Sequence, residues 1–233
     1  MSDDPSQPSP FLRSYGRRRG RKLSENRMRT LDGGLARWSV PPGDAPLDRR
    51  TLFARPLDAL WLEIGFGGGE HLAAQAAANP DVGLIGCEPF VDGVAALCAR
   101  LDAAGRDNVR IWPDDARPLI ARLPDGSVAR AFILFPDPWP KARHHKRRLI
   151  QADFLDLLAR VLAPGAELRV ATDDPAYLEH IVAVFAAHPA FALPAGAEGR
   201  RPADAPETRY EAKARAAGRS GTYLRYRRLA PSA

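Results

Sequence analysis

Leu60-Trp61-Leu62-Glu63-Ile64-Gly65-Phe66-Gly67-Gly68-Gly69-Glu70 joins a short apolar run to a glycine-rich turn, and an Ala-rich stretch to Ala78 follows. An apolar run of this length closed by glycines predicts a strand, Leu60–Ile64, turning tightly into a helix, Glu70–Ala78. The unit returns down the chain. Strands are predicted at Val82–Cys87, Val109–Trp112, Val128–Phe135 and Glu167–Ala171, and helices at Val91–Ala103, Arg148–Leu162 and Pro175–Ala187. Pro164-Gly165 is expected to stop the helix Arg148–Leu162, and Tyr223–Arg228 alternates sides as an edge strand does. This alternation implies βαβ units with right-handed crossovers, and so an α/β fold with a doubly wound, mostly parallel sheet covered on both faces. Such sheets bind ligands beyond the carboxyl ends of their strands. Functional residues are therefore expected just after Ile64, Cys87, Trp112, Phe135 and Ala171.

The length, 233 residues, suits one domain with a tail. Residues 1–30 read as a flexible basic tail and 31–233 as the domain. A hydrophobic content of 45% excludes a wholly disordered chain. Two cysteines make no disulfide framework and point to a reducing, cytoplasmic setting. No apolar run approaches the roughly 18 residues of a membrane span, and Met1–Pro10 lacks the apolar core of a signal peptide. The net charge of +6 is unevenly distributed. Phe11–Arg29, Lys141–Arg148 and Glu207–Arg228 together carry +17, leaving −11 for the rest. Basic segments on an acidic body favour a polyanionic partner.

The strand ends carry the chemistry. The glycines at 65, 67 and 69 form GxGxG. A dinucleotide fingerprint would place its third glycine at position 70, which is Glu70, an acid poorly suited to a pyrophosphate. That mismatch disfavours a nicotinamide oxidoreductase. Glu88 follows the second strand, 23 residues after Gly65, where an acid accepts hydrogen bonds from a ribose. Asp115 follows the third strand and suits an adenine amino group. The fourth strand ends in Pro136-Asp137-Pro138-Trp139-Pro140, whose prolines stiffen the loop around Asp137, and Lys141–Arg148 follows at once. Thr172-Asp173 ends the fifth strand. Thr208 and Glu211 are spaced as a helix capping box, and also offer hydroxyl and carboxylate groups to a base edge. His71, His180 and His188 lack metal-ligand spacing, so no metal is expected.

The glycines with Glu88 and Asp115 resemble the S-adenosylmethionine site of class I methyltransferases, a Rossmann-like fold. The chain from about Arg13 resembles a narrower family, the bacterial tRNA (guanine-N7-)-methyltransferases. The matching residues are Arg13–Arg18, Leu62–Gly67, Phe135–Arg148, Thr172-Asp173, Thr208–Glu211 and Lys213. Gly16 departs from the bulkier apolar residue of that pattern. The resemblance implies methyl transfer from S-adenosylmethionine to N7 of a guanosine, at position 46 of the tRNA variable loop. It implies cofactor contacts from Glu63, Gly65, Gly67, Glu88, Asp115 and Asp137, with Asp137 also catalytic. It assigns Lys141, Asp173, Thr208, Arg209, Tyr210 and Glu211 to the guanosine, and Arg143, His144, His145, Lys146, Arg147 and Arg148 to RNA. Residues 11–29 are then expected to be disordered until tRNA binds. The protein is expected to be a monomer or homodimer without an obligate protein partner. The alternatives are a class I methyltransferase on another RNA site and a non-catalytic RNA-binding protein.

Overall fold

The computed structural model describes residues 15–16, 18–20 and 22–230. Arg13, Ser14 and Arg17 of the basic motif lie outside them. In chain order come α1 (Glu25–Trp38), α2 (Arg49–Leu52), β1 (Ala59–Ile64), α3 (Glu70–Ala78), β2 (Val82–Cys87), α4 (Val91–Ala104), β3 (Val109–Trp112), α5 (Ala116–Arg122) and β4 (Val128–Leu134). A 3-10 helix, Ala142–Arg147, precedes α6 (Ala152–Val161), β5 (Leu162–Thr172), α7 (Pro175–Ala186), β6 (Phe191–Ala192), β7 (Glu198–Gly199), α8 (Arg209–Ala216) and β8 (Thr222–Arg228).

The sheet order is β3-β2-β1-β4-β5-β8-β6, with β7 also on β8. The five strands from β3 to β5 are parallel and β8 is antiparallel. Alternate residues of β1 point to opposite faces. Leu60, Leu62 and Ile64 join a core with α5, α6 and α7, while Trp61 packs against a second core with α1, α3 and α4. Burial on both faces explains why these strands read as continuous apolar runs. Among the described residues no helix is long and apolar enough to cross a membrane.

Four expectations need correcting. The boundary at residue 30 falls inside α1, and the disorder expected to residue 29 overlaps that helix. Ser24 caps its first turn, and Leu31 and Trp38 are buried against α4. The helix expected from Arg148 starts only at Ala152, because residues 148–151 are non-helical and Ile150 N–H is bonded instead to the Tyr177 hydroxyl at 3.3 Å. Pro164-Gly165 lies within β5, where pairing slips from Val128–Leu162 to Arg130–Glu167 and Gly165 takes φ +83°. Finally, β8 is an interior strand, because short β6 and β7 cover its outer side.

Candidate active site

The parallel ladder runs past the strands into the residues that follow them. Gly65 N–H donates to Cys87 O at 2.8 Å, Glu88 N–H to Trp112 O at 3.1 Å, and Phe135 N–H to Ala171 O at 2.8 Å. These bonds fix the starts of three loops at the point where the strand order reverses between β1 and β4. A cleft of about 790 Å³ opens there, and Gly65, Gly67, Glu88, Asp115, Asp137 and Trp139 are among its walls.

Gly67 has φ +54° and its missing side chain would stand in open space, so bare backbone faces the cleft. On its other side α4 comes very close: a Cβ on Gly93 would lie 2.2 Å from Gly67 O. Glu88, 7% exposed, receives Gly67 N–H on Oε2 at 2.8 Å and Phe90 N–H on Oε1 at 2.9 Å. Burial raises its carboxyl above the ordinary glutamate range, against those two donors and with help from the charges of Asp137 and Glu63. Asp115 caps α5 and takes the Arg117 fork at 2.8 and 2.7 Å. Burial works to raise its carboxyl, but the Arg117 bonds prevail and hold it below the usual range. Neighbouring Asp114 pairs with Arg18, which brings the segment before α1 to the rim.

The loop after β4 is built differently. Phe135 and Trp139 have φ +54° and +46°, the only non-glycine residues with positive φ among those described. That backbone is costly for side chains with a Cβ, and such conformations concentrate at functional sites. Asp137 lies between them, exposed to the cleft, without a hydrogen bond or ion pair to any described residue. The 3-10 helix places Lys141 and Arg143 outward and exposed, with His144 and His145 half-buried. Lys146 is exposed at the rim of the cleft. Arg148 departs from its expected place on RNA: it is 4% exposed, and its Nε donates inward to Pro138 O at 2.9 Å.

A second pocket of about 310 Å³ adjoins the first, sharing Gly65, Gly67 and Phe135 and reaching Thr208, Tyr210 and Lys213. Glu63 borders this pocket rather than the larger cleft. It is 3% exposed and bonded to buried His71 Nδ1 at 2.7 Å. On the far wall the Tyr210 hydroxyl donates to Asp173 Oδ1 at 2.9 Å, and Arg219 pairs with Asp173 Oδ2. The capping box forms at the start of α8, with Glu211 Oε2 receiving Thr208 N–H at 3.0 Å and its hydroxyl at 3.1 Å. The Tyr223 hydroxyl donates to Glu211 Oε1 at 2.7 Å. Arg209 turns toward Glu70, Nε to Oε1 at 3.1 Å. His71, Arg219 and Tyr223 escaped the sequence reading, because no local pattern ties them to the strand ends.

Comparison with known proteins shows the family and the fold. A family model described as "Putative methyltransferase" matches residues 58–224. A tRNA (guanine-N(7)-)-methyltransferase of Rhodospirillum rubrum is 52% identical over 232 residues, covering 96% of this chain and 91% of its own. One from Hyphomonas neptunium is 50% identical over 205 residues, covering 87% and 93%. A 16S rRNA (adenine(1408)-N(1))-methyltransferase of Catenulisporales acidiphilia, solved with its cosubstrate SAM, superposes with a TM-score of 0.52. At 20% identity, over 76% of this chain and 88% of its own, that structure speaks for the shared fold. With half-identical relatives matching nearly end to end, the chain belongs to the tRNA (guanine-N(7)-)-methyltransferase family.

Proposed function

We propose that this chain transfers a methyl group from S-adenosylmethionine to N7 of guanosine in tRNA, at position 46 of the variable loop. Beyond family membership, the observation that carries the reading is Asp137. Among the carboxylates lining the large cleft, Glu88, Asp114, Asp115 and Asp153 each accept hydrogen bonds, whereas Asp137 has none to a described residue. It stands ready in a loop of costly backbone.

The residues fit the cosubstrate. Open space at the Cβ positions of Gly65 and Gly67 gives a bare cradle, and acids surround it. A ligand carrying sulfonium and ammonium charges suits carboxylates. Glu88, locked by two backbone donors, would hold the ribose, and Asp115 the adenine side. When bound, S-adenosylmethionine supplies an electrophilic methyl group on its sulfonium.

Guanine N7 carries a lone pair and no proton, so no general base is needed to expose it. The protein's work is alignment, then stabilisation of the positive charge that appears on the base. Asp137 is the carboxylate for that charge. Asp173 and Glu211 would meet the N1 and N2 edge of the guanine. A carboxylate has about four acceptor positions. Tyr210 and Arg219 take one on each oxygen of Asp173, leaving capacity for a base edge. Lys141, Thr208, Arg209 and Tyr210 complete the guanosine side. Arg143, His144, His145 and Lys146 would contact phosphates, positioning RNA without reading its sequence. The basic segment before α1 would add grip. The protein would act in the cytoplasm, as a monomer or homodimer.

The test is incubation with labelled S-adenosylmethionine and unmodified tRNA, followed by chain cleavage at N7-methylguanosine. The expected result is one cut, at position 46. Label on another nucleotide overturns the site, and S-adenosylmethionine bound without label transfer overturns the activity.

A further inference from the structure

Within the basic run, two neighbouring arginines pack against the Asp137 loop instead of extending into solvent. Arg148 leaves the 3-10 helix buried, with Nε on Pro138 O at 2.9 Å and Nη1 3.5 Å from Ala176 O. Its guanidinium lies 4.9 Å from the ring centre of fully buried Tyr177 in α7. Tyr177 is itself tied to the main chain, since its hydroxyl receives Ile150 N–H at 3.3 Å. Arg147 covers the next residue of the loop, 5.0 Å from the ring centre of Trp139 and 5.2 Å from that of Tyr15. Tyr15 also meets Trp139 edge-on, 6.4 Å between centres. Pro138 and Trp139 immediately follow Asp137, and Trp139 is one of the two left-handed residues of the loop.

Both arginines give up donors to do this: Arg147 Nε and Arg148 Nη2 are buried without a hydrogen-bond partner among the described residues. A cation meant for a phosphate gains nothing by lying under a loop with a donor unused. A planar group that stacks on a ring while bonding a carbonyl at its edge suits the task of fixing a backbone.

We infer that Arg147 and Arg148 are positioning residues: they hold the Pro136–Pro140 loop in its costly conformation and so aim the Asp137 carboxylate, while phosphate contact falls to Arg143, His144, His145 and Lys146. The inference rests on the assignment of Asp137 to the reacting base. It divides one basic run into an outward face for RNA and an inward clamp for chemistry.

The full chain with unmodified tRNA tests it by two readouts, the single-turnover methyl-transfer rate at saturating ligands and the salt dependence of tRNA binding. Arg148→Met should slow transfer by about tenfold or more, since small misplacements of a catalytic group are expensive. Its tRNA affinity should stay within about twofold, with an unchanged salt slope, because no phosphate contact is lost. Arg148→Lys keeps the charge but not the fork, and should not rescue the rate. Arg143→Ala and Lys146→Ala should each flatten the slope by about one, marking what a true phosphate contact looks like. A slope flattened by about one in Arg148→Met, with the rate restored by Arg148→Lys, overturns the clamp. Should Arg148→Met fail to melt cooperatively, Arg147→Leu decides: a slowed rate with an unchanged slope supports the clamp, and the reverse overturns it. Asp137→Ala separates the two levels. A wild-type rate there sinks the assignment of Asp137, whereas an inactive Asp137→Ala beside wild-type Arg147 and Arg148 variants sinks the clamp alone.

Discussion

The loop after β4 and the loop after β5 end neighbouring parallel strands, yet they hold their carboxylates in opposite ways. Asp137 has no partner among the described residues, and the strain lies in the backbone around it. Asp173 is held by Tyr210 and Arg219, and Glu211 beside it by Thr208 and Tyr223. A group that meets developing charge gains most when nothing must be broken at the moment of reaction. A group that orients an incoming base gains from being fixed beforehand by neighbours that leave it spare lone pairs. The two loops therefore divide the proposed task into reaction and recognition.

The sharpest way to break this contrast is to remove each acid. Asp137→Ala should lower the single-turnover rate by about 100- to 1,000-fold, measured by quench-flow with labelled S-adenosylmethionine. Asp173→Ala should act mainly through tRNA KM, lowering kcat/KM by about tenfold, because the charge-assisted bonds it strips orient rather than react. Wild-type rates in both variants would end the proposed mechanism, and equal losses in kcat would erase the division between the loops.

A smaller effect is expected behind the recognition side. Tyr223→Phe removes the hydroxyl that fixes Glu211 Oε1 while leaving the buried ring. Thermal unfolding should register about 1 kcal/mol, a fall in Tm of about 2–4 °C for a chain of this size. An unchanged melt with a raised tRNA KM would show that the bond serves binding alone.

The smallest test concerns Glu88, whose carboxyl is raised chiefly by burial. Its ionised form is the better acceptor for ribose hydroxyls. Affinity for S-adenosylmethionine should therefore weaken as pH falls, and begin to do so above the ordinary glutamate range. Glu88→Gln, which cannot ionise, should bind more weakly and show a flatter profile by calorimetry. A profile unaltered by Glu88→Gln would remove Glu88 from the cosubstrate side.

The positions of several acids follow from the sequence alone. Glu88, Asp115, Asp137 and Asp173 each follow an apolar strand, and doubly wound sheets collect such residues at one edge. Thr208 and Glu211 were open to two readings, and the capping box does form, on the wall of the second pocket. Other features were hidden for identifiable reasons. Phe135 and Trp139 adopt left-handed backbone without being glycine, so composition gives no warning. Arg148 sits in a charge run that reads as RNA-facing, and Tyr177, on a later helix, helps to bury it. His71 meets Glu63 only because α3 packs back across the sheet.

Local patterns along the chain set the α/β alternation, the edge of the sheet where the acids gather, and the basic segments. Those properties follow from local apolar runs, glycines and charge, each decided within a few residues. Packing between distant elements sets which acid lacks a partner among the described residues, which acids are held by neighbours, and which arginines pack under the loop. Those outcomes depend on donors from distant segments: Arg219 and Tyr210 for Asp173, and Tyr223 for Glu211. Partner choice of this kind is set by packing between elements, and no pattern along the chain encodes it in readable form.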